Sequence, residues 1–290
     1  MDKSILELYD EYTHAPLPRR LFLERLARLT GSAAAAAAIL PMLEVRSVSA
    51  SVVAPDDPRL VSERVTYPGV TGDIKGYLVR PKPAAKKSPK LPAVIVIHEN
   101  RGLTPHIEDV TRRVALEGFL ALGVDMLSPV GGTPANEDAA RELFTKLDPV
   151  QTVQNLAAAV TFLEKHPNGN KRVGAVGFCW GGGMVGDLAV NAPALDAGVV
   201  YYGRQPKGAD VPKIVAPLML HYASLDTRIN EGIPAFETAL KTAKKAYTLH
   251  MYEGVNHAFN NDSSAARYNM EAADLAWSRT IAFFKDKLKG

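Results

Sequence analysis

The sequence predicts an α/β fold, a doubly wound and mostly parallel sheet with flanking helices. Three features predict it. Short β-branched runs such as Ala93-Val94-Ile95-Val96-Ile97 lack polar alternation and suit strands buried on both faces. Helical patterns separate successive runs, as crossovers between parallel neighbours require. One run, 172–176, passes directly into a glycine-rich turn and then a helix, at the carboxyl edge where such sheets carry their sites.

Residues 1–50 form a separate N-terminal segment and 51–290 a single α/β domain. In the first segment Arg19-Arg20 precede an alanine-rich apolar stretch, 33–40, and a small-residue run ending Val48-Ser49-Ala50. This resembles a twin-arginine export signal cleaved after Ala50, with an apolar part too short to span a bilayer as a stable helix. Acids ahead of the arginines, Glu24 behind them, and Glu44 and Arg46 near the cleavage site count against it. The alternative is an accessory amphipathic helix with Leu21, Phe22, Leu26 and Leu29 on its apolar side, packed on the body or on a neighbouring subunit. Export implies a periplasmic protein, retention a cytoplasmic one.

In the body, a hairpin is expected from 64–67 and 76–80, turning through Gly72-Asp73, followed by a basic, proline-rich linker at 81–92. Buried strands follow at 93–97, 119–124, 172–176, 197–201, 217–221 and 247–252. Helices are expected at 107–117, 137–147, 150–166, 181–190, 233–243 and 265–288.

Composition narrows the function. A net charge of +3 over 290 residues, with Lys and Arg scattered, gives no basic stripe for nucleic acid and leaves a small molecule as the expected partner. The single cysteine, Cys179, excludes an intramolecular disulfide. No membrane span is expected. The sequence leaves the oligomeric state open, with a homodimer among the states it allows.

Cys179 sits in Gly177-Phe178-Cys179-Trp180-Gly181, a nucleophile elbow with cysteine in place of serine. Glycines flank the nucleophile because side chains there would collide with the strand or helix beside a strained turn. The sulfur then stands at a helix N-terminus, whose partial positive charge favours thiolate. Such a nucleophile needs an acid and a histidine later in the chain. Asp226 follows the strand 217–221, and His257 follows the strand 247–252. Of the seven histidines only His257 lies in the loop after the last strand; His221 and His250 fall within strands and read as structural. Asp125 precedes the nucleophile and Asp262 lies too near the histidine to serve. No metal or other cofactor is called for, since His98-Glu99 has no second histidine at helical spacing.

These residues, with the glutamate of His98-Glu99-Asn100-Arg101-Gly102 at the end of the first parallel strand, resemble the dienelactone hydrolase family of the α/β-hydrolase superfamily from about residue 61 to the end. The resemblance implies that Glu99 contacts the nucleophile and takes the thiol proton when substrate binds. It implies an oxyanion hole from the backbone N–H groups of Asn100 and Trp180, and a pocket lined by Tyr202. It also exposes a departure. The family's two carboxylate-binding arginines correspond here to Leu127-Ser128-Pro129 and to Asn261; Arg101 and Arg204, beside pocket positions, are the cations that remain. The expected activity is hydrolysis of a carboxylic ester or lactone through a cysteine acyl-enzyme. The rivals are a non-catalytic or redox-sensing member of the fold, or a hydrolase of organophosphates or peptides.

Overall fold

The chain forms strands β1 (Leu60–Gly69), β2 (Gly72–Pro81), β3 (Leu91–Ile97), β4 (Leu120–Val124), β5 (Gly169–Phe178), β6 (Ala197–Tyr201), β7 (Leu218–Ala223) and β8 (Tyr247–Tyr252). They make one sheet in the order β1-β2-β4-β3-β5-β6-β7-β8. Only the β1–β2 and β2–β4 pairs are antiparallel; the other neighbours are parallel. The computed structural model describes residues 1–14, 17–43, 51–83 and 89–290. The expected cleavage site after Ala50 and the middle of the proline-rich linker lie outside the described residues.

The helices are α1 (Lys3–His14), α2 (Arg19–Thr30), α3 (Ala33–Leu43), α4 (Pro105–Leu116), α5 (Glu137–Phe144), α6 (Pro149–Glu164), α7 (Trp180–Asn191), α8 (Thr227–Asn230), α9 (Ile233–Thr242) and α10 (Met270–Lys287). Alternate residues of β3 serve different cores. Ala93, Ile95 and Ile97 pack with α6, α7 and α9, whereas Val94 and Val96 pack with α4 and α10. That alternation places helices on both faces of a doubly wound sheet. Side-chain caps fix several starts: Asp148 accepts from Gln151 N at 2.8 Å ahead of α6, and Asn269 from Ala272 N at 3.0 Å ahead of α10.

Four expectations need correction. The hairpin turns at Val70-Thr71, because Gly69 pairs directly with Gly72 and Gly72-Asp73 already belong to β2. The last helix starts at Met270 rather than 265, because Asn261, Ser263 and Ser264 close turns first. The described residues of the N-terminal segment form three helices, where one was expected. Finally, Leu29 is exposed; the apolar side of α2 is centred on the fully buried Phe22 and Leu26.

These three helices share a core of their own, in which Tyr12 stacks on Phe22 with ring centroids 4.2 Å apart. They also dock on the body. Arg228 reaches Asp10 at 3.1 Å, Asn100 Nδ2 donates to the Thr13 carbonyl at 2.6 Å, and the guanidinium of Arg267 lies 5.1 Å from the Tyr9 ring. Among the described residues no single helix is long and apolar enough to cross a membrane; α2 and α3 together pass by length and composition but are bent by 111°.

Candidate active site

Cys179 lies between β5 and α7 with φ 56 and ψ −114, a left-handed conformation that is costly for a side-chain-bearing residue. The flanking glycines make the turn possible. A Cβ at Gly177 would stand 2.1 Å from the Gly181 carbonyl oxygen, and one at Gly181 would stand 2.4 Å from that of Ile97. The Cys179 N–H is bonded to the Tyr201 carbonyl at 3.0 Å, which ties the turn to β6. Trp180 is the first residue of α7, so its N–H is among those without an intrahelical acceptor.

Asp226 follows β7, and its Oδ1 caps α8 by accepting from Ile229 N at 3.3 Å. Its Oδ2 lies 2.5 Å from His257 Nδ1. The ring therefore carries its proton on Nδ1, and Nε2 is left as a base. That Nε2 is buried without a hydrogen-bond partner, and the His257 ring brings a nitrogen within 4.8 Å of Cys179 Sγ. The rival acids have other tasks. Asp125 accepts from Leu127 N and from Thr133, and Asp262 pairs with Arg113 and His106. His221 is buried between Thr280 and Tyr252, and burial holds its pKa well below the usual imidazole range.

The remaining expected site residues are spread around the thiol. Glu99 lines a small pocket with Cys179 and His257; its Oε2 accepts from Asn261 Nδ2 at 2.7 Å, and its Oε1 is buried without a partner. Asn100 and Arg101 lie beside it, with Arg101 Nη1 donating to Asn100 Oδ1 at 2.9 Å. Trp180 stacks on His98 with centroids 5.5 Å apart. Tyr202, at φ 40, packs its buried ring 4.9 Å from that of His257. Arg204 is half-exposed and paired with Asp187.

One residue at the centre was not expected. His14, the last residue of α1, places Nε2 3.0 Å from Cys179 Sγ, and its ring meets His257 edge-on with centroids 4.7 Å apart. Its Nδ1 is 2.9 Å from the Asp10 carbonyl and 3.0 Å from Asp10 Oδ1, the latter an ion-pair contact without hydrogen-bond alignment. Burial alone would lower the His14 pKa, but the charge on Cys179 and the contact with Asp10 outweigh it and the pKa is raised. Burial opposes ionisation of Asp10 too, yet His14, His257 and Arg228 hold its carboxyl far below the usual range. The sequence signal was Asp10 and His14 at i,i+4 on one helix face, which only the fold connects to Cys179. Sγ and one ring nitrogen from each of His14 and His257 lie within 4.8 Å of one another. At 3.0 Å, Sγ and His14 Nε2 stand at hydrogen-bond distance, closer than the about 3.5 Å separating two ligands of a tetrahedral zinc ion.

The cleft above the thiol has a volume of about 850 Å³. It is lined by Tyr12, His14 and Leu17 from the N-terminal segment and by Trp180, Tyr202 and His257 from the body.

Comparison with known proteins points to one family. Residues 74–288 match the dienelactone hydrolase family. The "Putative hydrolase fragment YghX" of Escherichia coli (strain K12) is 50% identical over 116 residues, 39% of this chain and 97% of that one. The "Putative carboxymethylenebutenolidase" of Saccharolobus solfataricus is 31% identical over 251 residues, covering 73% of this chain and 96% of its own length. Among solved structures, the "Putative Dienelactone Hydrolase" from Klebsiella pneumoniae superposes with a TM-score of 0.69 at 28% identity, over 78% of this chain and 98% of that one. The family match takes in Cys179, Asp226 and His257 and begins after α1, α2 and α3.

Proposed function

Because this chain belongs to the dienelactone hydrolase family, hydrolases of esters or lactones, we propose that it cleaves a carboxylic ester or lactone through a thioester on Cys179. The observation that carries this reading is the Asp226–His257 pair, whose unpartnered Nε2 is buried beside a sulfur held in a strained elbow. As the thiol proton is passed to His257 Nε2, sulfur attacks the carbonyl, and the negative charge moves to the carbonyl oxygen between the backbone N–H groups of Asn100 and Trp180. The C–O bond then breaks, and His257 gives a proton to the leaving oxygen. In the second half His257 Nε2 takes a proton from the water that attacks the thioester, the C–S bond breaks and that proton is returned to the Cys179 site, while Asp226 holds the ring in the tautomer both steps need.

The test is kinetic. Against a panel of p-nitrophenyl esters and lactones, Cys179→Ala should lose at least about 10⁴-fold in kcat, since the whole covalent route goes with the sulfur. Circular dichroism should be unchanged, because little volume is removed at a buried site. Turnover by Cys179→Ala at the wild-type rate would end the reading.

A further inference from the structure

We infer that His14, backed by Asp10, is a catalytic residue: a second Asp–His pair, supplied by the N-terminal helix, that takes the proton of Cys179 and holds the nucleophile as a thiolate. The inference rests on the proposed cysteine chemistry and adds the residue that activates it. The family match begins at residue 74, so nothing in it assigns a role to α1.

Geometry singles out His14 among the groups near the sulfur. Its Nε2 is at hydrogen-bond distance from Sγ, 3.0 Å. Its Nδ1 lies 2.9 Å from both the Asp10 carbonyl and Thr13 Oγ1, and the Thr13 hydroxyl itself donates to that carbonyl at 3.0 Å; with Nδ1–H donating to this pair of oxygens, Nε2 of the neutral ring carries the lone pair and points at the thiol. Once protonated, the ring has the Asp10 carboxylate 3.0 Å away. Asp10 in turn is fixed by Arg228 at 3.1 Å, and the carbonyl of Thr13 is held by Asn100 at 2.6 Å. The imidazole is thus positioned from both its own helix and the body. Glu99, the other candidate base, has one carboxylate oxygen engaged by Asn261 and makes no hydrogen bond to the sulfur.

The groups facing His14 are Asp10 on its own helix and, from the body, Cys179, His257 with Asp226 behind it, Glu99, Arg101 and Arg267. Arg228 stands behind Asp10, and Tyr202 beside His257. At rest the S–H bond is broken and its proton sits on His14 Nε2. As the C–S bond forms, the sulfur loses its charge and His14 its counter-ion, and the proton passes to His257 Nε2 within the same cluster. The leaving oxygen takes it when the C–O bond breaks. In deacylation His257 takes a proton from water, the C–S bond breaks, and the proton returns from His257 to His14 beside the regenerated thiolate. The acid product releases its own proton to solvent.

Such a role requires that α1 stay with the enzyme. The helix α1 is then part of the active site rather than of a removed signal.

The experiment is the pH dependence of Cys179 alkylation by iodoacetamide, with thiolate ultraviolet absorbance, on the full chain. Neither readout involves ester turnover. Wild type should show thiolate at neutral pH and an alkylation rate nearly flat across it. His14→Gln and His14→Ala should alkylate about tenfold more slowly at pH 7, with the midpoint climbing towards the about 8.5 of a free thiol. Imidazole added to His14→Ala should restore part of the rate, whereas His257→Ala should keep the wild-type profile while losing turnover. A wild-type thiol that titrates at about 8.5 would overturn the inference without any variant, as would an unchanged profile in His14→Gln. Failure of Cys179→Ala to lose ester hydrolysis would remove the proposed function and leave the alkylation result standing.

Discussion

Asn261 occupies one of the positions where the sequence resemblance calls for a carboxylate-binding arginine, and its amide is bound to Glu99. At the other, Ser128 Oγ donates to the Asp125 carbonyl at 2.6 Å, and no cation is supplied. The arginines that do line the cleft have partners: Arg204 has Asp187, Arg228 has Asp10, Arg19 donates to the Tyr12 hydroxyl at 3.4 Å, and Arg141 lies 4.0 Å over the Tyr12 ring. A substrate carboxylate drawn from water here would meet no dedicated counter-charge, at a cost of several kcal/mol. A neutral short-chain ester should therefore show a kcat/KM about tenfold or more above that of a carboxylated dienelactone. Preference for the anion, lost in Arg101→Ala, would show instead that Arg101 supplies the clamp. At this scale Cys179, Asp226 and His257 were legible in the sequence because each follows a readable strand. His14 was not, since its contact with Cys179 spans 165 residues of chain.

The elbow depends on backbone packing that a single methyl group disrupts. In Gly181→Ala the new Cβ would press on the backbone carbonyls of Ile97 and His98, at 2.4 and 2.5 Å, and Ile97 is not free to move because β3 is hydrogen-bonded on both sides. The variant should lose at least about 2 kcal/mol in denaturant unfolding along with most activity; wild-type stability would mean that the turn tolerates a Cβ. Elements buried on both sides, such as β3 and β6, were readable because continuous apolar runs have few alternatives. The start of α10 was not. Ala265-Ala266 favour helix locally, but the turns closed by Asn261 and Ser264 and the cap at Asn269 delay it. The four-residue α8, capped by Asp226, is too short for any periodicity to reveal.

Across the whole molecule, side chains far apart in sequence hold the catalytic loop and the N-terminal helices in place, and sequence patterns report such docking least because it depends on assembled shape. Asp262, five residues past His257, is paired with Arg113 of α4 at 2.5 Å and His106 at 3.0 Å. Burial raises its pKa, but those partners lower it further, to about 2 from the usual 3.8. A carboxyl depressed on folding stabilises the protein above its unfolded pKa and loses that contribution as pH falls through the folded one. Asp262→Asn should therefore cost about 1–2 kcal/mol at neutral pH, allowing for partial exposure, and flatten the fall in stability between about pH 4 and 2. An equally steep acid limb in the variant would assign that fall to other groups. The central claim, that acyl groups pass through the sulfur, is most directly tested by intact-mass spectrometry of enzyme acid-quenched during turnover of a slow ester. Wild type should gain the mass of one acyl group, mapped to the peptide holding Cys179, and Cys179→Ala should gain none. An acyl group on any other residue, or the same adduct in Cys179→Ala, would contradict the account.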